Sequence, residues 1–282
     1  MELRQAERQQ AKIKLGIQGP SGSGKTYSAL LVARGLASDW SKIAIVDTEN
    51  HSADLYAHLG NFNVLSLSEL FSPERYIEAI ETCENEGMEV IIIDSITPEW
   101  DGEGGILEVH GNLTGNSFTN WRRVTPRHNK FVQKIIQSNC HILSTIRSKQ
   151  DYVLSEKNGK YVPEKVGLKG ITREGMDYEF TIVFDLDIKH NATASKDRTE
   201  IFMDKPPIIL SDKTGLQIKS WCAEGKTLDE IIKLIKETET VEELRRIYIR
   251  YPQMQAEIEP VCIQRKQEIE DPVVNQVEPE NL

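Results

Sequence analysis

The chain has 282 residues, a formal net charge of −10, and 39% hydrophobic and 28% charged residues, a composition typical of a folded, water-soluble protein. No apolar run approaches the roughly 20 residues that a membrane helix needs, and the polar first residues argue against a secretory signal. Four scattered cysteines without a CxxC pair argue against a disulfide framework or a zinc site. We therefore expect a cytoplasmic protein without a membrane partner.

Apolar runs alternate with helix-length segments, which predicts an α/β fold with a mainly parallel sheet flanked by helices. The predicted strands are 12–19, 42–47, 63–67, 89–94 and 141–146, and the predicted helices are 25–37, 73–85 and 117–138. Pro126 falls inside the last helix, which we expect it to end or kink. After Arg173 the pattern becomes β-rich, which suggests antiparallel strands added at the sheet edge.

The composition becomes helical towards the end of the chain. Capping-box spacing, Thr227 with Glu230 and Thr240 with Glu243, marks two helix starts. The final dozen residues are typical of a flexible tail. We therefore predict three regions: a large α/β core over residues 1–222, a small helical appendage over 223–270 and a flexible tail over 271–282.

The segment GPSGSGKT matches the phosphate-loop pattern G-x-x-x-x-G-K-[ST], and it lies between a predicted strand and a predicted helix. Glycines let such a loop curl so that backbone N–H groups converge on phosphate oxygens, and the following helix adds its positive end. The lysine should reach the β- and γ-phosphates and the threonine should bind Mg²⁺. The predicted nucleotide-binding residues are Gly19, Pro20, Ser21, Gly22, Ser23, Gly24, Lys25 and Thr26.

Acidic residues follow two of the predicted strands. Asp94 ends strand 89–94 and is the candidate acid that holds Mg²⁺ together with Thr26. Asp47 and Glu49 follow strand 42–47. If that strand lies beside the loop strand, its C-terminal end faces the γ-phosphate. Glu49 would then orient and deprotonate the attacking water, and Asp47 would have a structural role. No NKxD motif follows, so ATP is favoured over GTP.

Several longer motifs carry a family resemblance. "IAIVDTENHSADLYAHLG", "VIIIDSITPEW" and "HILSTIRSK" resemble successive strand motifs of RecA. "DSITPEWDGEGGILEVHGN", "NSFTNWRRVTPRHNKFV", "REGMDYEFTIVFDLD" and "ATASKDRT" resemble phage and prophage ATP-binding proteins with a minimal RecA-like core, near the ATPase-type single-strand annealing proteins. The resemblance covers about residues 12–205 and implies a RecA-like P-loop NTPase fold.

This resemblance implies roles for particular residues. The family's water-activating glutamate falls on Glu49 and its magnesium acid on Asp94. Its γ-phosphate sensor falls on Thr145, where RecA has a glutamine, so Arg147 or Lys149 is the alternative sensor.

The resemblance also implies assembly into a ring or filament. Lys196 and Arg198 resemble the basic pair that RecA-like oligomers insert into a neighbouring nucleotide site, where two cations can stabilise developing phosphate charge. The alternative is an ordinary exposed pair of charges on a β-hairpin.

A basic block interrupts the acidic chain, with twelve Lys/Arg and three Asp/Glu between Trp121 and Arg173. The DNA-contacting loops of RecA-like proteins correspond to segments 101–118 and 148–170. Lysines can track a phosphate backbone, and the second segment carries Lys149, Lys157, Lys160, Lys165 and Lys169. Trp100 and Trp121 either stack on bases or pack beneath these loops.

The sequence thus predicts a homo-oligomeric ATPase that uses ATP and Mg²⁺ and acts on single-stranded DNA in phage or prophage recombination or replication. Its location would be the host cytoplasm, and a single-strand-binding protein is a candidate partner. One alternative is a nucleotide-gated DNA-binding or annealing protein with incidental hydrolysis. Others are a hexameric helicase-like motor, and a protein scaffold whose basic segment binds an acidic partner.

Overall fold

The computed structural model describes residues 11–157, 160–223, 228–251 and 254–270. The strands are β1 (Lys14–Gly19), β2 (Ile43–Asp47), β3 (Asn63–Ser66), β4 (Val90–Asp94), β5 (His141–Lys157), β6 (Lys160–Gly170), β7 (Ile182–Leu186) and β8 (Ala192–Asp197). The α-helices are α1 (Lys25–Leu36), α2 (Pro73–Asn85), α3 (Thr97–Asp101), α4 (Ile106–Gly111), α5 (Ser117–Gln137), α6 (Asp212–Ala223), α7 (Leu228–Glu237), α8 (Val241–Arg250) and α9 (Gln255–Glu270).

The strands form a single sheet in the order β3-β2-β4-β5-β1-β7-β8, with β6 paired to the extended end of β5. Strands β1 to β5 and β7 are parallel, whereas β6 and β8 are antiparallel to their neighbours. The predicted fold class, a P-loop NTPase-like α/β fold with a mainly parallel sheet, is therefore confirmed. Because the central strands are parallel, their carboxyl ends meet at one edge of the sheet.

Helices cover both faces of the sheet, as the alternation of buried side chains along the strands requires. On one face, Ala44, Ile91 and Ile142 pack in a cluster with side chains of α2 and α5. Tyr76 and Phe131 join those two helices, with ring centroids 5.2 Å apart. Helix α1 packs against β1, β4 and β5. The central strands are thus buried on both sides, which explains their continuous apolar sequences.

Two expectations about strand pairing are wrong. Strand β2 does not lie beside β1, because β4 and β5 are inserted between them. Strand β7 is parallel to β1, and only β8 is antiparallel at the edge. Local sequence periodicity specifies that a strand exists but not which neighbour it pairs with, since pairing depends on contacts that are distant in the chain.

Two local features differ from the expectations. Helix α5 does not end at Pro126 but continues to Gln137. A proline there costs about 3 kcal/mol, but Val124, Phe131 and Ile135 are all buried, and their packing offsets the loss. The segment 148–170 is not a loop: its described parts, Ser148–Lys157 and Lys160–Gly170, form a β-hairpin. The other expected loop, 101–118, contains helix α4.

The described chain divides into two compact units between Trp221 and Cys222. In the second unit, α7, α8 and α9 share a small core that includes Ile231, Leu244 and Ile258. The hydroxyl of Thr240 accepts the Glu243 N–H at 3.2 Å, so this predicted helix cap is confirmed. The predicted cap at residue 227 and the predicted tail, 271–282, lie outside the described residues. Among the helices described, none has the length and apolar character needed to span a membrane.

A buried histidine makes the core sensitive to acid. The Ile13 N–H donates to Nδ1 of His141 at 3.1 Å, so that nitrogen carries no proton. Burial, with the nearby charges of Lys12, Lys14 and Lys219, lowers the pKa of His141 from 6.5 to about 3. Between these two values the unfolded chain binds a proton that the folded chain does not, so stability falls as the pH decreases.

We expect the free energy of unfolding to decrease by about 2 kcal/mol through this residue between pH 7 and pH 5. His141→Asn places an amide oxygen near the position of Nδ1, so it keeps an acceptor for Ile13 but cannot be protonated, and it should lose that part of the pH dependence. Denaturant unfolding of both proteins at the two pH values measures the difference. Equal pH dependence in the two proteins would contradict the assignment.

Candidate nucleotide site

The phosphate loop connects β1 to α1 at the carboxyl edge of the sheet. Gly22 and Gly24 have positive φ angles of 78° and 83°, which residues with a side chain rarely adopt. Gly24 caps α1, so the positive end of this helix faces the loop. The Lys25 ammonium donates to the Pro20 carbonyl at 2.9 Å, and burial lowers its pKa. A partly buried cation therefore lies at a natural anion site.

His190 supports this loop from the β7–β8 turn. Its Nδ1 lies 2.9 Å from the Ser23 carbonyl oxygen, and a Cβ at Gly24 would lie 3.0 Å from the same nitrogen. The turn is held by Asp187, which accepts the backbone N–H groups of Lys189 and Asn191. Sequence reasoning missed His190, because no local motif marks a residue that meets the loop only in the folded chain.

Asp94 occupies the centre of the carboxyl edge. Its carboxylate accepts the Thr26 hydroxyl at 2.7 Å and, on the other oxygen, the Thr145 hydroxyl. Burial raises the pKa of Asp94, the two hydroxyl groups oppose this, and the nearby Glu49 and Asp47 carboxylates raise it further. Thr145 is fully buried. Its hydroxyl thus holds Asp94, and this position favours a supporting role over direct contact with a phosphate.

The chain after β2 carries Glu49 towards the phosphate loop, although β2 lies two strands away from the expected position. The Thr48 N–H donates to the Asp94 carbonyl at 2.8 Å, so the chain turns across the end of β4. The Asp47 carboxylate accepts the N–H groups of Glu49, at 2.7 Å, and Ala53, at 3.1 Å. Asp47 therefore shapes the turn, as expected of a structural acid.

Glu49 is paired with Arg147 at the site. Nε and Nη2 of Arg147 both donate to Oε1 of Glu49, at 3.0 and 2.8 Å. The pairing is partly exposed to solvent, with side-chain exposures of 52% for Arg147 and 30% for Glu49. Both residues also influence the Lys25 ammonium electrostatically. The sequence resemblance makes Arg147 an alternative γ-phosphate sensor, but no local pattern predicts its ion pair with Glu49.

These groups line a single cavity of about 690 Å³, which is within the usual range for small-molecule sites. The cavity is lined by Ser21, Gly22, Gly24, Lys25, Thr26, Glu49, Ser52, Leu55, Tyr56, Asp94, Arg147, Ser148, Ile171 and His190. The phosphate loop, Asp94 and Glu49 thus line one cavity, and this convergence agrees with the arrangement expected from the sequence.

A family model described as an AAA domain matches residues 11–237. The chain belongs to the AAA domain family. No curated protein is significantly similar to it. Among solved structures, a prototypical ATPase from the type III secretion system of pathogenic bacteria has 12% sequence identity to it, covering 95% of this chain and 80% of that chain, with a TM-score of 0.39.

The residues of this AAA domain fit a magnesium ion. Thr26 and Asp94 provide a hydroxyl and a carboxylate, the hard oxygen ligands that Mg²⁺ prefers, and their oxygens already lie 2.7 Å apart. No cluster of three or more His, Cys, Asp or Glu side chains that could hold a metal occurs among the described residues. That is compatible with Mg²⁺, which commonly takes one carboxylate and completes its shell with water and substrate phosphates.

Lys196 and Arg198 lie away from the cavity of their own chain. Lys196 pairs in register with Val183, near the start of β7, whereas the phosphate loop adjoins the end of that strand. Lys196 donates to the Asp177 and Tyr178 carbonyls at 2.8 and 2.6 Å, and Arg198 donates to Tyr178 at 3.0 Å. In this arrangement neither cation reaches the cavity of the same chain.

The predicted DNA-contacting lysines lie on the β5–β6 hairpin. Lys149 and Lys169 face each other in register, as do Lys157 and Lys160. Lys149 and Lys169 are exposed, and Lys169 lies 3.5 Å from Glu174. The side chains of Lys157, Lys160 and Lys165 lie outside what the structure describes.

Trp100 and Trp121 pack against each other, with nearly parallel rings 5.9 Å apart. His110 stacks on Trp121 at 4.0 Å, and His128 contacts the edge of Trp100. Since the rings already contact one another, this arrangement favours packing beneath the 101–118 segment over stacking on bases.

Proposed function

We propose that this AAA domain binds ATP with Mg²⁺, hydrolyses it, and acts on single-stranded DNA. The proposal depends on one observation: Lys25, Thr26, Asp94 and Glu49 line the same cavity. These side chains come from three separate segments of the chain. Together they provide a phosphate-binding cation, two magnesium ligands and a carboxylate base, which are the groups that ATP hydrolysis requires.

ATP would bind through its phosphates. The loop N–H groups and the start of α1 favour negative charge, and Lys25 would turn from the Pro20 carbonyl to the β- and γ-phosphates. Thr26 and Asp94 would hold Mg²⁺, which when bound neutralises the charge that develops on the phosphate oxygens.

Hydrolysis would use Glu49 as the base. Glu49 accepts a proton from water while the water oxygen forms a bond to the γ-phosphorus. The bond between that phosphorus and the oxygen bridging to the β-phosphate breaks, and its electron pair stays on ADP. The products are ADP and inorganic phosphate, and the proton then leaves Glu49 for solvent.

The β5–β6 hairpin supports an interaction with single-stranded DNA. Ser148–Lys157 extends the strand by about 30 Å beyond its pairing with β1. Lys149 and Lys169 are exposed and lie opposite each other near the base of the hairpin. Like charges directly opposite each other destabilise a hairpin, so an anionic strand along this surface would relieve the repulsion.

The resemblance to phage and prophage proteins supports recombination or replication as the setting, with a single-strand-binding protein as a further candidate partner. Assembly into a ring or filament would bring Lys196 and Arg198 of one subunit to the nucleotide of its neighbour. Their distance from the cavity of their own chain agrees with that use.

One observation favours a second candidate function. Because Arg147 donates two hydrogen bonds to Oε1 of Glu49, a water molecule has to compete with the guanidinium for this carboxylate oxygen. The chain would then be a nucleotide-gated DNA-binding or annealing protein in which hydrolysis is slow. A third outcome, strand displacement that depends on ATP and Lys25, would instead identify a helicase-like motor.

We expect Glu49→Gln to lower ATP turnover at least about 100-fold, because the amide cannot accept the proton. ATP binding should remain, whereas Lys25→Ala should weaken both. Phosphate release and the binding of a fluorescent ATP analogue measure the two properties. Glu78→Gln, an exposed acid on α2, is the matched control. If Glu49→Gln retains annealing of complementary strands, the gated-binding function is favoured, whereas unchanged turnover would remove Glu49 from catalysis.

We expect Lys149→Glu and Lys169→Glu each to weaken binding of single-stranded DNA by about tenfold at low salt. Wild-type affinity should fall as salt rises, and each variant should reduce that slope, because fewer counterions are released. Fluorescence anisotropy with labelled oligothymidylate at several salt concentrations measures both. Lys213→Glu, an exposed lysine on α6, controls for net charge. Binding that does not change with salt would exclude this surface as the DNA site.

We expect Lys25→Ala and Arg198→Ala each to be inactive alone but to regain turnover when mixed. In a mixed assembly, a site with an intact Lys25 can receive Arg198 from a neighbour that carries the other substitution. ATP turnover against the mixing ratio measures the recovery. Full activity of Arg198→Ala, or a mixture no more active than the sum of its parts, would contradict a site shared between subunits.

A further inference from the structure

The ion pair between Arg147 and Glu49 is the feature of the cavity that the proposed hydrolysis leaves unexplained. Both donated hydrogen bonds, from Nε and Nη2, end on Oε1 of Glu49. A water molecule therefore has to compete with a guanidinium for this carboxylate oxygen. The arrangement described is therefore one in which the candidate base is held by another residue.

Arg147 is also the structural joint between the sheet and the β5–β6 hairpin. It pairs in register with Gly19, the first residue of the phosphate loop. Its N–H donates to the Thr97 hydroxyl at 2.9 Å, and its carbonyl accepts the Ile171 N–H at 2.7 Å. The next residue, Ser148, begins the pairing with β6. A displacement at the base of the hairpin would therefore move the residue that holds Glu49.

The base of the hairpin forms part of the cavity wall. Ser148 and Ile171, one from each side of the hairpin base, line the cavity beside Lys25 and Glu49. The Ser148 hydroxyl is buried and makes no hydrogen bond to the described residues. A buried hydroxyl without a partner is unfavourable.

The ion pair is weak enough to open. Its two side chains are 52% and 30% exposed, and ion pairs at such positions contribute little, because water solvates the separated charges almost as well. Lys149 is two residues from Arg147, is exposed and faces Lys169. A polyanion on these lysines would sit close to the Arg147 guanidinium and compete with Glu49 for it.

We propose that Arg147 is an inhibitory latch on Glu49, and that single-stranded DNA bound at the base of the β5–β6 hairpin opens it. The proposal rests on the proposed function, because it assumes that Glu49 is the base for ATP hydrolysis. It adds a form of regulation: ATP turnover stays low until single-stranded DNA binds the hairpin. Arg147 is thus a positioning residue that acts through Glu49.

Steady-state ATP turnover of four proteins tests the latch: wild type, Arg147→Gln, Glu49→Gln and the double variant, each with and without oligothymidylate. We expect oligothymidylate to stimulate the wild type. Arg147→Gln should show about three- to fivefold higher kcat without DNA, little change in KM and little further stimulation. In the Glu49→Gln background the same Arg147 substitution should have no effect, because a latch without its carboxylate has nothing to release.

Two further variants separate a latch from a merely structural role. Arg127 on α5 forms an ion pair with Glu74 on α2, with an N–O distance of 2.7 Å, and this pair is also partly exposed. Arg127→Gln removes that ion pair and should leave ATP turnover unchanged. Arg147→Lys keeps the charge with a single donor group, so its basal turnover should lie between those of the wild type and Arg147→Gln. Thermal unfolding of each variant confirms that the fold is intact.

The outcomes distinguish the two proposals. If Glu49→Gln abolishes turnover but Arg147→Gln lowers it or leaves it unchanged, the latch is wrong and the proposed function stands. If Arg147→Gln changes turnover equally in both backgrounds, Arg147 does not act through Glu49 and the latch is also wrong. If Glu49→Gln has no effect on turnover, or no protein hydrolyses ATP at saturation, both proposals are overturned.

Discussion

The buried carboxylate of Asp94 joins the parts of this site. It accepts the hydroxyl of Thr26 from the first turn of α1 and that of Thr145 from β5. The backbone carbonyl of Asp94 accepts the N–H of Thr48, where the chain leaves β2. A carboxylate that is 2% exposed is costly unless such partners are present. The first turn of α1, strand β5 and the turn that carries Glu49 therefore all meet at Asp94.

Few charged side chains line the cavity, and its two cations could exchange their present partners for a bound anion. Lys25 and Arg147 are the cations, and Asp94 and Glu49 are the anions. Lys25 donates to a backbone carbonyl, and Arg147 binds the carboxylate proposed as the base. A triphosphate would compete for both cations. Arg147 lies on β5, the strand that continues into the β5–β6 hairpin. One strand therefore carries both a cation of the nucleotide cavity and lysines of the hairpin.

Local features of the site were readable from the sequence because each depends on a short stretch of chain. The phosphate loop has its own glycine spacing, and the helix after it begins at Lys25 as predicted. Asp94 was identified from its place at the end of an apolar strand. The strand order was not readable, and the expected adjacency of strands 12–19 and 42–47 was wrong. Pairing partners are chosen by the packing of the whole sheet, which no local pattern encodes.

The sequence by itself determined the class of the protein, the glycine-rich phosphate loop, and the places of Asp94 and Glu49 at or near strand ends. These follow from residue type and short-range spacing, which set backbone conformation and chemistry directly. Only the tertiary structure decided that His190 supports the loop, that Thr145 holds Asp94, and that Arg147 holds Glu49. Each of these contacts joins residues about 50 to 170 positions apart, so they exist only once the parallel strands have brought their carboxyl ends to one edge.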